Sequence, residues 1–150
     1  GGWVGGLVAT AVVREHLLTA SRACIVETAP SPAAVGAVAE SLRIIGANPN
    51  LAAKARANAI RLASITLAAT PDAAVVSVLI GDAHAALELQ SRLLELGFWV
   101  GCFRPPSVPH GTSRLRITAR ADLTTSEIEA FAQAFEQATG TSTNPIVEPA

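Results

Sequence analysis

At 150 residues the chain has the size of one ordinary domain, and folding at that length buries roughly 70% of the surface of the unfolded chain. Half of the residues are apolar, 15% are charged and 4% are aromatic, which excludes a disordered or collagen-like chain and points to an interior of Ala, Val, Leu and Ile. The 11 basic and 12 acidic side chains leave a formal charge of -1, with Lys54 the one lysine, so the charge gives no footprint for a nucleic acid.

In chain order, Gly1-Gly2-Trp3-Val4-Gly5-Gly6-Leu7-Val8 reads as a glycine-rich strand or hairpin. A helix is predicted over 10–21, where Val13, Leu17 and Leu18 recur at helical spacing, and a short buried strand over 23–27. Ser31-Pro32 supplies a helix cap with proline at the first helical position, and Val35, Val38, Leu42 and Ile45 carry that helix to Gly46. After Asn48-Pro49 a second helix is predicted over 50–68, with Leu51, Ala55, Leu62 and Ile65 facing inward. From 73 the period changes, and the β-branched run over 75–80 reads as a central strand. Asp82 caps a helix that closes at Gly97, and the next strand is predicted over 98–103. A proline-rich loop then leads to a strand over 113–119, in which Leu115 and Ile117 face one way and Arg114, Arg116 and Thr118 the other. The last helix opens on Thr124-Thr125-Ser126-Glu127, a capping box, and turns Ile128, Phe131, Ala132 and Phe135 inward.

These elements predict an α/β chain, in detail an α+β two-layer arrangement with helices on one side of a small sheet. The first 30 residues, 1–30, have no partner strands and read as the end of another domain. The stretch 31–68 reads as helices joining it to a small C-terminal domain over 69–140, and 141–150 as a frayed tail. With no methionine and two glycines at its start, the chain reads as processed, truncated or part of something larger. The apolar opening covers about 13 residues where a membrane span needs about 20, and it has no basic leader or small-residue cleavage site. A cytoplasmic protein without a membrane segment is expected.

Cys24 and Cys102 lie in apolar, strand-like runs and read as reduced core residues. His16 and His84 fall on predicted helices without a second ligand at metal spacing, so no metal is expected. His110 sits in the proline-rich loop, where it could meet a ligand or face solvent. The segment from Arg104 to Thr118 carries the chemistry. Pro105, Pro106 and Pro109 stiffen the loop and Gly111 lets it turn, so the strand behind it is delivered to a fixed place. Arg114 and Arg116 project from one face of that strand, about 6.6 Å apart at Cα. A guanidinium held by rigid backbone is a bidentate receptor for a carboxylate or phosphate; the competing reading, the commoner one for arginines at large, is that both cover a solvated sheet face, and the rigid loop weighs against it.

The segment Gly-Cys-Phe-Arg-Pro-Pro-Ser-Val-Pro-His-Gly-Thr-Ser-Arg-Leu-Arg-Ile-Thr, residues 101–118, resembles the C-terminal signature of the pyridoxal-phosphate-dependent α-oxoamine synthases. Gly1-Gly2 is similar to the glycine turn that follows the family's cofactor lysine, and 24–32 to its strand-to-helix segment ending in prolines. The Arg-Pro-Pro opening resembles most the branch that condenses L-alanine with a pimeloyl thioester in biotin biosynthesis; glycine-using relatives share the later Val-Pro-x-Gly part but usually lack Arg-Pro-Pro. The resemblance implies the C-terminal small domain of a fold-type-I pyridoxal-phosphate transferase with the tail of its large domain. It implies a homodimer, and Arg116 as the arginine that grips the amino-acid carboxylate. It further implies Arg104 as a substrate-channel or structural arginine, and Thr28 as the residue reaching the cofactor phosphate from the neighbouring subunit, where a helix-capping Thr is the competing reading.

Ser107, Glu27, Pro30 and His110 depart from the family's usual residues, which bears on the branch more than on the family. The Schiff-base lysine would precede Gly1 and is absent from this chain, as are the aromatic or His residue that stacks on the cofactor ring and the Asp that pairs with its nitrogen. Lys54, on the exposed side of a predicted helix, is no substitute. The chain by itself is therefore expected to be inactive, holding a carboxylate clamp without its cofactor. Two other readings stand beside this one: a non-catalytic α/β module for binding carboxylates or for dimerisation, and a glycine-using synthase of the same family.

Overall fold

The computed structural model describes residues 7–140, the side chain of Cys24 excepted, and divides the chain into two units, Gly1–Pro49 and Asn50–Ala150. In the first unit the described residues form three helices, α1 (Ala11–Ala20), α2 (Arg22–Val26) and α3 (Pro32–Ala47). The Ser31 hydroxyl accepts from the Ala34 N–H at 3.2 Å and Pro32 fills the first helical position, where its missing N–H costs no hydrogen bond. The strand expected over 23–27 is instead helix α2, so Cys24 lies on helical backbone. The Ile25 N–H reaches the Ser21 carbonyl at 3.1 Å and the Glu27 N–H the Ala23 carbonyl at 3.2 Å. A lone strand would leave those groups unpaired, whereas a helical turn satisfies them locally. The expected glycine-rich hairpin lies mostly outside the described residues; Leu7 and Val8 are irregular and exposed.

The second unit contains α4 (Asn50–Ile65), β1 (Val75–Gly81), α5 (Ala83–Glu95), β2 (Gly101–Phe103), β3 (Ser113–Thr118) and α6 (Thr125–Thr139). The boundary between the two units falls before α4. Ala59, Leu62 and Ala63 of α4 are buried in the same core as the sheet. The Asn58 amide also donates to the Arg120 carbonyl at 2.9 Å, tying α4 to the segment after β3. The expected tail over 141–150 lies outside the described residues.

Among the described residues the three strands are antiparallel in the order β1-β3-β2. β1 is therefore an edge strand, not the central one its β-branched run suggests. A sheet wet on one face needs alternation in every strand, and β1 complies: Val76 and Val78 are buried while Val75 and Ser77 are exposed. β3 takes the middle place, with Val78 opposite Leu115 on one side and Cys102 opposite it on the other. Leu115 is fully buried, as is Leu93 of α5, each contributing roughly 1.5–3 kcal/mol of apolar transfer. From α6, Ile128, Phe131 and Phe135 close the core, and Phe98 meets Phe131 edge to face at 5.4 Å between centroids.

Helix ends follow their sequence signals. The Asp82 carboxylate accepts from the Ala85 N–H at 2.8 Å, and at the far end of α5 the Phe98 N–H reaches the Leu93 carbonyl at 2.8 Å while Gly97 takes φ +88°. This closure draws Phe98 into the helix cap, which is why the strand predicted from 98 begins only at Gly101. The capping box at Thr124 and Glu127 forms in both directions. No described helix is long and apolar enough to cross a membrane.

Candidate functional site

Strand β3 alternates strictly: Ser113, Leu115 and Ile117 are buried in the core, while Arg116 and Thr118 are exposed and Arg114 is half-buried. The two arginines therefore stand on the outer face of the sheet, as their spacing predicts. Pairing surrounds Arg116 with small residues, Ser77 of β1 on one side and Gly101 of β2 on the other. The Arg116 guanidinium lies over the ring of Phe103, 5.0 Å from its centroid. Among the described residues no hydrogen bond or ion pair occupies its donors. Arg114 differs, because its Nε–H donates to the Thr112 carbonyl at 3.0 Å and ties the side chain to the loop.

The loop behind these residues is held by its own bonds. The Ser107 N–H reaches the Arg104 carbonyl at 3.0 Å, and the Thr112 hydroxyl reaches the Pro109 carbonyl at 2.8 Å. Gly111 adopts φ +77°. At the end of β1 Gly81 has φ +87°, and a Cβ there would lie 3.4 Å from the Gly111 carbonyl oxygen, so loop and strand end meet closely. Arg104, at the start of this loop, is exposed and its guanidinium has no hydrogen-bond partner among the described residues; His110 is exposed as well.

Thr28 lies in the other unit, in the irregular segment before α3. Ser31, not Thr28, caps that helix, and the exposed Thr28 hydroxyl makes no hydrogen bond among the described residues. His16 and His84 are exposed on α1 and α5, Lys54 is exposed on α4, and Cys102 is a free, partly buried thiol packed against the core. No group of three or more His, Cys, Asp or Glu is placed to hold a metal among the described residues. The carboxyls held below their ordinary range are caps or surface partners: Asp82 by the Ala85 N–H, Glu127 by the Thr124 N–H, Glu40 by Arg43 and Asp122 by Arg120. A hollow lined by Arg92, Glu95, Leu96, Gln137 and Ala138 lies in the helical layer. There Arg92 donates to the Ala138 carbonyl at 3.1 Å, a capping contact at the end of α6.

Sequence reasoning placed Arg114 and Arg116 on one face but missed Phe103 and Gly101. Their alternation in β2 was visible; the register that sets them beside Arg116 was not.

The described residues set helices against one face of a small sheet and Arg116, unpaired among them, on the other, an α/β arrangement that comparison places. The chain belongs to the aminotransferase class I and II family, whose model matches residues 1–135. It is similar to the 8-amino-7-oxononanoate synthase of Mycobacterium sp. strain JLS, 46% identical over 127 residues covering 83% of this chain and 33% of that protein. The 8-amino-7-oxononanoate synthase of Mycobacterium marinum is 47% identical over 126 residues, with 83% and 32% covered. The chain thus spans about a third of the length of these relatives. Among solved structures, the serine palmitoyltransferase of Sphingomonas wittichii matches with a TM-score of 0.77 and 26% identity, over 87% of this chain and 35% of that one. An 8-amino-7-oxononanoate synthase from Francisella tularensis shares the fold at a TM-score of 0.63 and 20% identity, over 87% of this chain and 39% of that one.

Proposed function

We propose that this chain supplies the substrate-carboxylate site of an 8-amino-7-oxononanoate synthase, an enzyme that joins L-alanine to a pimeloyl thioester with loss of carbon dioxide and the thiol. The observation that carries the reading is Arg116: exposed, unpaired among the described residues, and fixed on the middle strand of the sheet. The mycobacterial relatives, which bear the name 8-amino-7-oxononanoate synthase, support the reading.

Arg116 binds the alanine carboxylate through paired N–H donors and orients it, and positioning of this kind lowers a barrier by restricting the bound amino acid to a reactive geometry. Arg104, at the mouth of the stiff loop, lines the approach of the acyl donor. Thr28 would hold the phosphate of a bound pyridoxal-phosphate group, its hydroxyl being exposed and without a hydrogen bond among the described residues. Lys54, on the solvent side of α4, is not the lysine for that cofactor. When bound, pyridoxal phosphate would delocalise negative charge at the amino-acid α-carbon, so that this carbon can displace the thiol of the thioester and the carboxyl group can leave as carbon dioxide. The enzyme acts as a cytoplasmic homodimer, with Thr28 reaching the partner's cofactor. Val12, Leu18, Val26 and Leu42 of the first unit, all more than half exposed, are the apolar surface such an assembly would cover.

The test is Arg116→Ala in the complete enzyme. The KM for L-alanine is expected to rise by roughly tenfold or more, the loss of a charged bidentate contact. An unchanged KM would remove Arg116 from the site and the reading with it.

A further inference from the structure

Phe103 stands two residues beyond Gly101 on β2, and Gly101 is the residue paired with Arg116. A side chain at position 101 would crowd both neighbours: a Cβ there lies 3.4 Å from Phe103 Cε2 and 3.5 Å from Arg116 Cβ. Because glycine leaves that place open, the Phe103 ring and the Arg116 guanidinium meet across it, diagonally between strands, with 5.0 Å from Cζ to the ring centroid. An aromatic face attracts a guanidinium without using any of its N–H donors, all of which lie in the guanidinium plane. The contact thus holds Arg116 still while leaving its edge free to receive a carboxylate. An exposed arginine with no such partner would sample many rotamers and lose that freedom on binding.

We propose that Phe103 is a positioning residue for the substrate carboxylate, acting through Arg116, and that Gly101 is the small residue that lets the two meet. This rests on the reading of Arg116 as the carboxylate-binding group. Phe103 touches no reacting atom; it sets the affinity for the amino acid and leaves the chemical step alone.

Three substitutions test it. In the complete enzyme, Phe103→Leu and Phe103→Met keep apolar bulk and remove the aromatic face, and the KM for L-alanine is expected to rise about two- to fivefold at unchanged kcat. Phe103→Tyr keeps a ring and restores the KM. In the 150-residue chain, the Arg116 Nε–Hε resonance should be displaced by the ring current of Phe103, lose that displacement in the Leu and Met variants, and regain it in the Tyr variant. An unchanged KM in both ring-less variants, with a raised KM in Arg116→Ala, overturns the positioning role and leaves the carboxylate reading intact. An Arg116 resonance indifferent to all three substitutions overturns the stacking itself. An unchanged KM in Arg116→Ala overturns the underlying reading and the positioning role together.

Discussion

Two neighbouring residues on β3 should separate stability from binding. Leu115 is fully buried on the middle strand, whereas Arg116, the next residue, is exposed on the opposite face. Leu115→Ala removes buried carbon and leaves a cavity beneath α5 and α6, at a cost of about 3 kcal/mol. For a unit of about 100 residues each kcal/mol shifts Tm by roughly 4–8 °C, which puts the expected fall at about 12–24 °C. Arg116→Ala forfeits only its stacking on Phe103, about 0.5–1 kcal/mol, or roughly 2–8 °C. Thermal unfolding followed by far-ultraviolet circular dichroism measures both, and amide exchange at β1 and β3 assigns the loss to the second unit. If Arg116→Ala lowers Tm as much as Leu115→Ala does, the arginine is part of the core packing and the outer-face site is refuted.

Leu67 follows α4 with φ +53° and is 64% exposed, so Leu67→Gly should relieve backbone strain at little cost in burial. The expected gain is about 0.5 kcal/mol after the added freedom of the unfolded chain, or a Tm higher by roughly 2–4 °C, and a lower Tm would contradict it. Acid should weaken the fold through Glu127 and Asp82. The Thr124 N–H lowers the pKa of Glu127 and the Ala85 N–H that of Asp82, so the folded state favours the ionised forms. That stability is present above the unfolded-state pKa and is lost as pH falls through the folded-state values. Tm should hold from neutrality to about pH 5 and then fall toward pH 2. Glu127→Gln and Asp82→Asn should each flatten the decline, and a decline unaltered by both would assign it to other groups.

Local chemistry sufficed for the helices and their ends. Ser31-Pro32, Asp82, Gly97 and the Thr124–Glu127 box act within one or two turns of backbone, so the sequence states them directly. The two-residue period of Arg114-Leu115-Arg116-Ile117 likewise fixed which side chains face the core and which face water. Its close match to a known signature determined the family, because the spacing of glycine, prolines and arginines reflects one loop and one strand. Only tertiary structure decided that β3, not the more hydrophobic β1, lies in the middle of the sheet, since strand order depends on long-range pairing that no local pattern contains. The segment over 23–27 is helical for the converse reason: without a partner strand among the described residues, local hydrogen bonds win. The meeting of Phe103 with Arg116 also belongs to tertiary structure. The sequence places each on the face of its own strand, and only the antiparallel register brings an aromatic ring, an open glycine position and a free guanidinium to one place.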